Sequence, residues 1–370
     1  MLNTIIQIEP WIDESELREL QRVIKSTFLV EHELTREFED MTARLTGSKH
    51  AVAVCNGTLG IYICLKALGI GQGDEVIVPN LTFVATANAV ILAGATPVLG
   101  EIREDTFCLD VERAERLVTD RTRAVLPVHL YGQSADLSAV LAFAKRYGLK
   151  VIEDAAQGVG VKFKGKHVGT FGEMGILSYY GNKTITCGEG GIVLTNVDDL
   201  ARVAYRLKNH GRDQKGVFIH ESIGFNFSFT ELQAAIGISQ MKKLPAIVNK
   251  KQMIHDRYLA ELRGIGNIQE VFVDPRCEPV FWFTSFLCEE AEKLAIFLRN
   301  KNIQTRRFFY PLHLQPCYAD GRYVRVIDSD FSVSESVYRR GISLPSSFRL
   351  TCEDQSYVIG EIRQFYACRD

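Results

Sequence analysis

The chain of 370 residues is short of most features that assign a protein to a class at sight. It has no C-x-x-C pair, no H-E-x-x-H, no G-x-S-x-G and no glycine-rich loop followed by Lys-Ser or Lys-Thr. Structural zinc, zincin, serine-hydrolase and P-loop chemistry are therefore without support, and no metal site is expected. The formal net charge is only -2, so the charge balance favours neither nucleic acid nor an anionic membrane as partner. Nine cysteines are scattered without pairing, the pattern of reduced thiols in a cytoplasmic protein. Residues 1–14 contain acids and a proline where a leader would have a basic and then an apolar stretch. A long uncharged run, residues 80–100, is interrupted by Asn80, Thr82, Thr86, Asn88, Gly94, Thr96 and Pro97. It reads as a buried helix followed by a strand and not as a membrane span. Internal repeats and low-complexity segments are absent.

Hydrophobic residues make up 46% and charged residues 24%, enough to bury a sizeable core. Helical and strand patterns alternate through the first half. Amphipathic helices are expected at 14–25 and 35–45, then strands at 51–54, 75–78, 96–99 and 124–129 separated by helices at 57–69 and 82–93. Asp136 caps a helix whose Leu137, Val140, Leu141 and Ala144 share one face, and Gly148 ends it. Strands follow at 151–154, 175–180 and 192–195. Such alternation predicts an α/β fold with a mostly parallel sheet covered by helices on both faces. Thr230 and Gln233 form a capping box, and Pro245 is expected to separate helices at 230–243 and 246–262. Beyond it the pattern loosens, so the chain divides into a large domain, 1–245, and a smaller α+β domain, 246–370.

The stretch 178–191, S-Y-Y-G-N-K-T-I-T-C-G-E-G-G, joins two apolar strands and contains one lysine, Lys183. About thirty residues upstream, V-I-E-D-A-A-Q (151–157) is a strand that ends in two acids. Alternation sends Glu153 and Asp154 to opposite faces at the strand's carboxyl end, where open α/β sheets bind ligands. A carboxylate there would keep a pyridine nitrogen protonated, and a partly dehydrated lysine one strand away would hold an aldehyde, the arrangement that pyridoxal phosphate needs. An ordinary helix cap at Asp154 and a solvated charge at Lys183 fit the spacing as well. Asn56-Gly57-Thr58, between a strand and a helix, offers backbone N–H groups to a phosphate or is simply a cap. Phe83 stacks on a flat ring or fills the core, and Ser178 serves a phosphate or its own backbone. His129, Tyr131 and His313 are further candidates.

The runs N-G-T (56–58), G-D-E-V-I-V-P (73–79), T-F-V-A-T-A-N-A-V (82–90), G-A-T-P-V (94–98), V-H-L-Y-G (128–132), I-E-D-A-A-Q (152–157) and N-K-T-I-T-C-G-E-G-G (182–191) resemble the DegT/DnrJ/EryC1/StrS sugar aminotransferases. The segments at 164–172, 305–313 and 340–346 resemble the GDP-perosamine synthases within that family. The resemblance implies the fold-type I aminotransferase architecture, pyridoxal 5'-phosphate (PLP) as cofactor and a homodimer with shared sites. It implies transfer of an amino group from glutamate to a nucleotide-linked 4-keto-6-deoxyhexose. Lys183 matches the lysine that holds the cofactor's aldehyde and shuttles the proton, and Asp154 matches the partner of the ring nitrogen. Gln157 matches the residue beside the ring and Phe83 the stacking aromatic. Gly57, Thr58 and Ser178 match the phosphate-binding groups, and Asn226 the asparagine offered by the partner subunit. His313 and Tyr310 are the expected substrate-binding residues.

Two segments depart from the family. Asn226-Phe227-Ser228-Phe229-Thr230 stands where the family has N-Y-R-M-T, so an arginine is missing, and Glu31-His32-Glu33 brings acids into a loop that usually has a glycine. Both segments lie where the family binds its nucleotide sugar, and Arg306, Arg307 or Lys215 are the candidates to restore the lost positive charge. The alternatives are amination at another sugar carbon, PLP-dependent sugar dehydration, or a non-catalytic PLP-binding regulator.

Overall fold

The computed structural model describes residues 4–214 and 216–367. Five short strands, each reached through a helix, open the chain: β1 (His50–Val54), β2 (Glu75–Pro79), β3 (Thr96–Gly100), β4 (Thr122–Val125) and β5 (Lys150–Asp154). A small hairpin, β6 (Lys162–Phe163) and β7 (Lys166–His167), precedes β8 (Met174–Ser178) and β9 (Gly191–Thr195). Seven of these form one sheet in the order β1-β9-β8-β5-β4-β2-β3. β9 is antiparallel to both neighbours, and the remaining pairs are parallel. The expected mostly parallel α/β sheet is therefore what the chain forms. Its side chains alternate as a pleat requires: Val54, Val78, Ile152 and Ile176 enter one core, while Ile77, Val125 and Val151 enter another across the sheet. All parallel strands point their carboxyl ends at one edge, and the functional side chains gather there.

Three expected elements differ. The helix expected at 82–93 starts at Ala85, after Thr82 has turned its hydroxyl toward that of Thr86. The strand expected at 124–129 stops at Val125, two residues before Pro127, which has no N–H for the ladder. The two helices expected to meet at Pro245 are one helix, Glu231–Leu262. Met241, Leu244, Ile247, Ile254 and Tyr258 continue a single buried stripe through the proline, and that packing outweighs a cost of about 3 kcal/mol. The capping box at Thr230 and Gln233 opens this helix as expected.

After it come β10 (Gln269–Glu270), β11 (Cys277–Glu278), β12 (Thr284–Leu287), β13 (Arg306–Arg307) and β14 (Gly341–Leu344). Four of them make an antiparallel sheet, β10-β12-β14-β13, with a core shared by the helices Ala291–Asn300 and Cys352–Ala367. β11 instead joins β6. The start of the chain lies with this second sheet, since Gln304 donates its N–H to Ile5 and Ser346 donates to Gln7, both at 2.9 Å. Among the described residues no helix is long and apolar enough to cross a membrane.

Candidate active site

β5 and β8 are paired with Asp154 opposite Ile176, so Asp154 and Ser178 leave the same face of the sheet at its carboxyl edge. Glu153 leaves the other face. Its carboxylate accepts the N–H groups of Gly169, Phe171 and Gly172 at 2.7, 2.6 and 2.8 Å and faces His129 Nε2 at 3.1 Å. Burial pushes the Glu153 carboxyl up, but the His129 contact and these N–H groups outweigh it and hold the group below the ordinary range. The two acids expected on opposite faces are thus separated into a structural and a site carboxylate. One Asp154 oxygen accepts the Thr86 hydroxyl at 2.8 Å and the other the Ala156 N–H at 3.1 Å, which fixes the plane of the group.

Beyond Ser178 the chain leaves the sheet for twelve residues before returning as β9. Lys183 sits in this excursion, its N–H closing a turn on the Tyr180 carbonyl at 2.9 Å. Its Nζ lies 4.2 Å from the Trp282 ring centroid. Burial lowers the amine to about 8, while the Asp154 carboxylate pulls it up and Arg306 adds a smaller downward push. At pH 7 roughly one molecule in ten then holds the free base, against far fewer for an ordinary lysine.

The third wall is the start of the helix Gly57–Ala67. The Asn56 side chain takes the N–H of Leu59 at 2.9 Å and its carbonyl takes that of Gly60 at 3.1 Å. Those of Gly57 and Thr58 have no partner among the described residues and stand at the positive end of the helix. A Cβ at Gly57 would crowd the turn, lying 3.1 Å from that of Ser178. Gly191 is constrained in the same way, its Cβ position being 2.7 Å from the Asn56 carbonyl carbon. The last glycine of G-E-G-G therefore lets β9 cross the turn at Asn56-Gly57.

These walls enclose a cleft of about 430 Å³. Gly57, Thr58, Phe83, Asp154, Gln157, Ser178 and Lys183 all line it. Gln157 Oε1 accepts the Tyr131 N–H at 2.8 Å, which leaves its amide nitrogen as a donor. Residues singled out by neither spacing nor resemblance also line it, among them Thr86, Asn182, Trp282 and Phe309. Thr86 follows Thr82 by one helical turn, a signal present in T-F-V-A-T, whereas Trp282 and Phe309 are brought in by the second sheet. Trp282 donates its indole N–H to the Asn182 carbonyl at 2.6 Å. Its own carbonyl accepts from the buried Lys251 Nζ at 2.9 Å, and burial lowers that amine to about 7.

Other expected residues lie elsewhere. His313 and Tyr310 do not line the cleft. The His313 ring is occupied by Asn80 at 2.9 Å and by Glu335 at 3.2 Å and rests on Phe331, while Tyr310 packs edge-on against Tyr338. Asn226 is exposed on the surface of its own chain, bridged to Asn209. The acid at Glu31 is not a free negative charge near a nucleotide: it is buried, 3.0 Å from Lys208 Nζ and paired with Arg36. Arg307 spends its N–H groups on the carbonyls of Gly341, Tyr338 and Arg339, and Lys215 lies outside the described residues. Of the three cations named for the missing arginine, Arg306 lines the cleft.

A phosphorylated pyridine aldehyde fits this arrangement, with unpartnered N–H groups and a hydroxyl for the phosphate, a fixed carboxylate for the ring nitrogen and a dehydrated amine for the aldehyde. The comparisons agree. Residues 10–363 match the DegT/DnrJ/EryC1/StrS aminotransferase family. GDP-perosamine synthase of Caulobacter vibrioides is 38% identical over 334 residues, 89% of each chain. That of Vibrio cholerae is 36% identical over 97% of this chain and 98% of its own. The solved structure of DesV from S. venezuelae is 33% identical and covers 99% of this chain and 100% of its own, with a TM-score of 0.91. Matched over nearly its whole length, the chain belongs to the DegT/DnrJ/EryC1/StrS aminotransferase family and is a PLP-dependent sugar aminotransferase.

Proposed function

We propose that the chain transfers an amino group from glutamate to the keto carbon of a nucleotide-linked 4-keto-6-deoxyhexose, acting as a cytoplasmic homodimer. The reading rests on one observation: the lowered amine of Lys183 and the fixed carboxylate of Asp154 share a cleft with free backbone donors at Gly57 and Thr58. Similarity to GDP-perosamine synthases supports the sugar class. The absence of disulfides among the eight described cysteines supports a reducing compartment.

PLP bound in this cleft supplies an electron sink for the pair released when a proton leaves the carbon that bears the amine. Gly57, Thr58 and Ser178 would hold its phosphate, and Asp154, fixed by Thr86, would hold the proton on the ring nitrogen. Gln157 would donate to the ring's hydroxyl, and Phe83 would cover one face and exclude water. Lys183 Nζ would first hold the aldehyde, then, once displaced by the donor, carry the proton between the two carbons. Asn226, exposed on its own chain, would serve the partner's cleft.

The test supplies the purified protein with glutamate and GDP-, dTDP- or UDP-linked 4-keto-6-deoxyhexoses. One of them is expected to yield 2-oxoglutarate and a 4-amino sugar, read by mass spectrometry and NMR. Lys183→Ala should lower turnover by roughly 1000-fold or more and abolish the absorbance band of cofactor joined to the lysine, with circular dichroism unchanged. Failure to release 2-oxoglutarate with any of these sugars, or an amine at another carbon, would refute the reading.

A further inference from the structure

Two cations line the cleft, Lys183 and Arg306, and Lys183 is committed to the cofactor. Arg306 is half of the two-residue strand β13, whose side chains leave on opposite faces. Arg307, on one face, is spent on three backbone carbonyls. Arg306, on the other, has its guanidinium 5.1 Å from the Phe283 ring centroid, with no carboxylate among the described residues within ion-pair distance. It is an exposed guanidinium, steadied by an aromatic face and turned to a cleft whose other charged lining groups are Asp154, Lys183 and Glu189.

The reaction needs an anion site at this place twice. Both substrates react at the same carbon-binding point in turn, and both have a negative group several bonds from the reacting carbon. In glutamate it is the side-chain carboxylate, and in a nucleotide sugar it is the diphosphate. The segment in which the family has an arginine offers Ser228 here. We propose that Arg306 is a shared anion seat, binding the distal carboxylate of the amino donor in one half-reaction and the diphosphate of the sugar nucleotide in the other. It thereby selects dicarboxylate donors over alanine. A guanidinium suits both roles because its planar fork pairs with two oxygens of either group.

This inference rests on the proposed function, and its test separates the two. Holoprotein is titrated by calorimetry with glutarate and, separately, with inorganic pyrophosphate, neither of which reacts. Arg306→Met is expected to weaken both by about tenfold or more, with Arg306→Lys intermediate. In the half-reaction with glutamate alone, followed by cofactor absorbance, Arg306→Met should raise the half-saturating concentration while largely sparing the limiting rate, and should narrow the preference for glutamate over alanine. Unchanged glutarate affinity, or loss of affinity for one probe only, would overturn the shared seat. A wild-type protein that completes the glutamate half-reaction but aminates no keto-sugar would refute the proposed function and leave the donor half of this inference standing.

Discussion

At the scale of single residues, the free energy that matters most is that of one proton on Lys183. Burial drives the amine toward neutrality, the Asp154 carboxylate opposes it, and the sum is about 8. Removing the carboxylate removes the only upward pull among the three influences. Asp154→Asn should therefore lower the amine further below 8 in cofactor-free protein and increase its free-base fraction at neutral pH. The pH dependence of reductive methylation at Lys183, read by peptide mass spectrometry, measures this directly. A midpoint at or above the wild-type value would show that Asp154 does not act on the amine. The separation of Glu153 from Asp154 was legible in strand alternation, whereas Lys183 was singled out by resemblance, because its spacing fits a solvated charge as well. What Glu31 does was not legible. Its sequence neighbours cannot tell that Lys208, some 180 residues on, is buried beside it and that Arg36 turns back onto it.

At the scale of elements, side chains repeatedly finish what the backbone leaves open. β1 is an edge strand, and on its open side the Ala53 N–H is taken by Glu39 and the Ala53 carbonyl by Lys208, both at 2.7 Å. Two helices thus cover an edge that would otherwise invite another strand. Glu231 does the same for a helix start. It opens the helix Glu231–Leu262, yet its carboxylate accepts the N–H groups of His32, Leu34 and Thr35 and the Thr35 hydroxyl, all within 2.9 Å, at the beginning of the helix Glu33–Thr46. These donors hold the carboxyl below its ordinary range despite burial. A depressed carboxylate contributes stability above the unfolded value, about 4.3, and loses it as pH falls through the folded one. Glu231→Gln should cost about 2–3 kcal/mol near neutrality, the difference from wild type shrinking below about pH 4 in urea unfolding. A gap that stays constant to pH 3 would mean that the charge is not what caps the helix. The capping box at Thr230 and Gln233 was legible because its partners are three residues apart. The Glu231 cap was not, since it spans nearly 200 residues, and for the same reason Pro245 misled: its neighbours in space, not in sequence, keep the helix whole.

At the scale of the molecule, the cleft is assembled from residues 56 to 309, and one wall of it is thin. Phe83, expected to cover a ring, is 55% exposed, and Asn226 lies on the outer surface. The described residues between Asn209 and Asn226 form a surface excursion closed by a bridge between those two residues. Along it Phe218 and Ile223 are each 81% exposed and Ile219 is 72% exposed. Burying such side chains fully is worth about 2 kcal/mol apiece, so a lone chain in water forgoes several kcal/mol that the proposed second copy would recover. Because Asn226 forms the base of this excursion, a partner that buried it would also bring Asn226 toward a second cleft, as the proposed shared site requires. The double variant Phe218→Asp and Ile223→Asp should therefore sediment as a monomer, where the wild type, as the proposed homodimer, should sediment as a dimer. Its circular dichroism should be unchanged, because neither residue belongs to a core, but its turnover should fall by about tenfold or more as the clefts lose their second wall. Sedimentation velocity and a glutamate half-reaction on the same samples decide the matter. A variant that stays dimeric, or a monomer that turns over as fast as the wild type, would place the interface elsewhere and make each cleft complete within one chain.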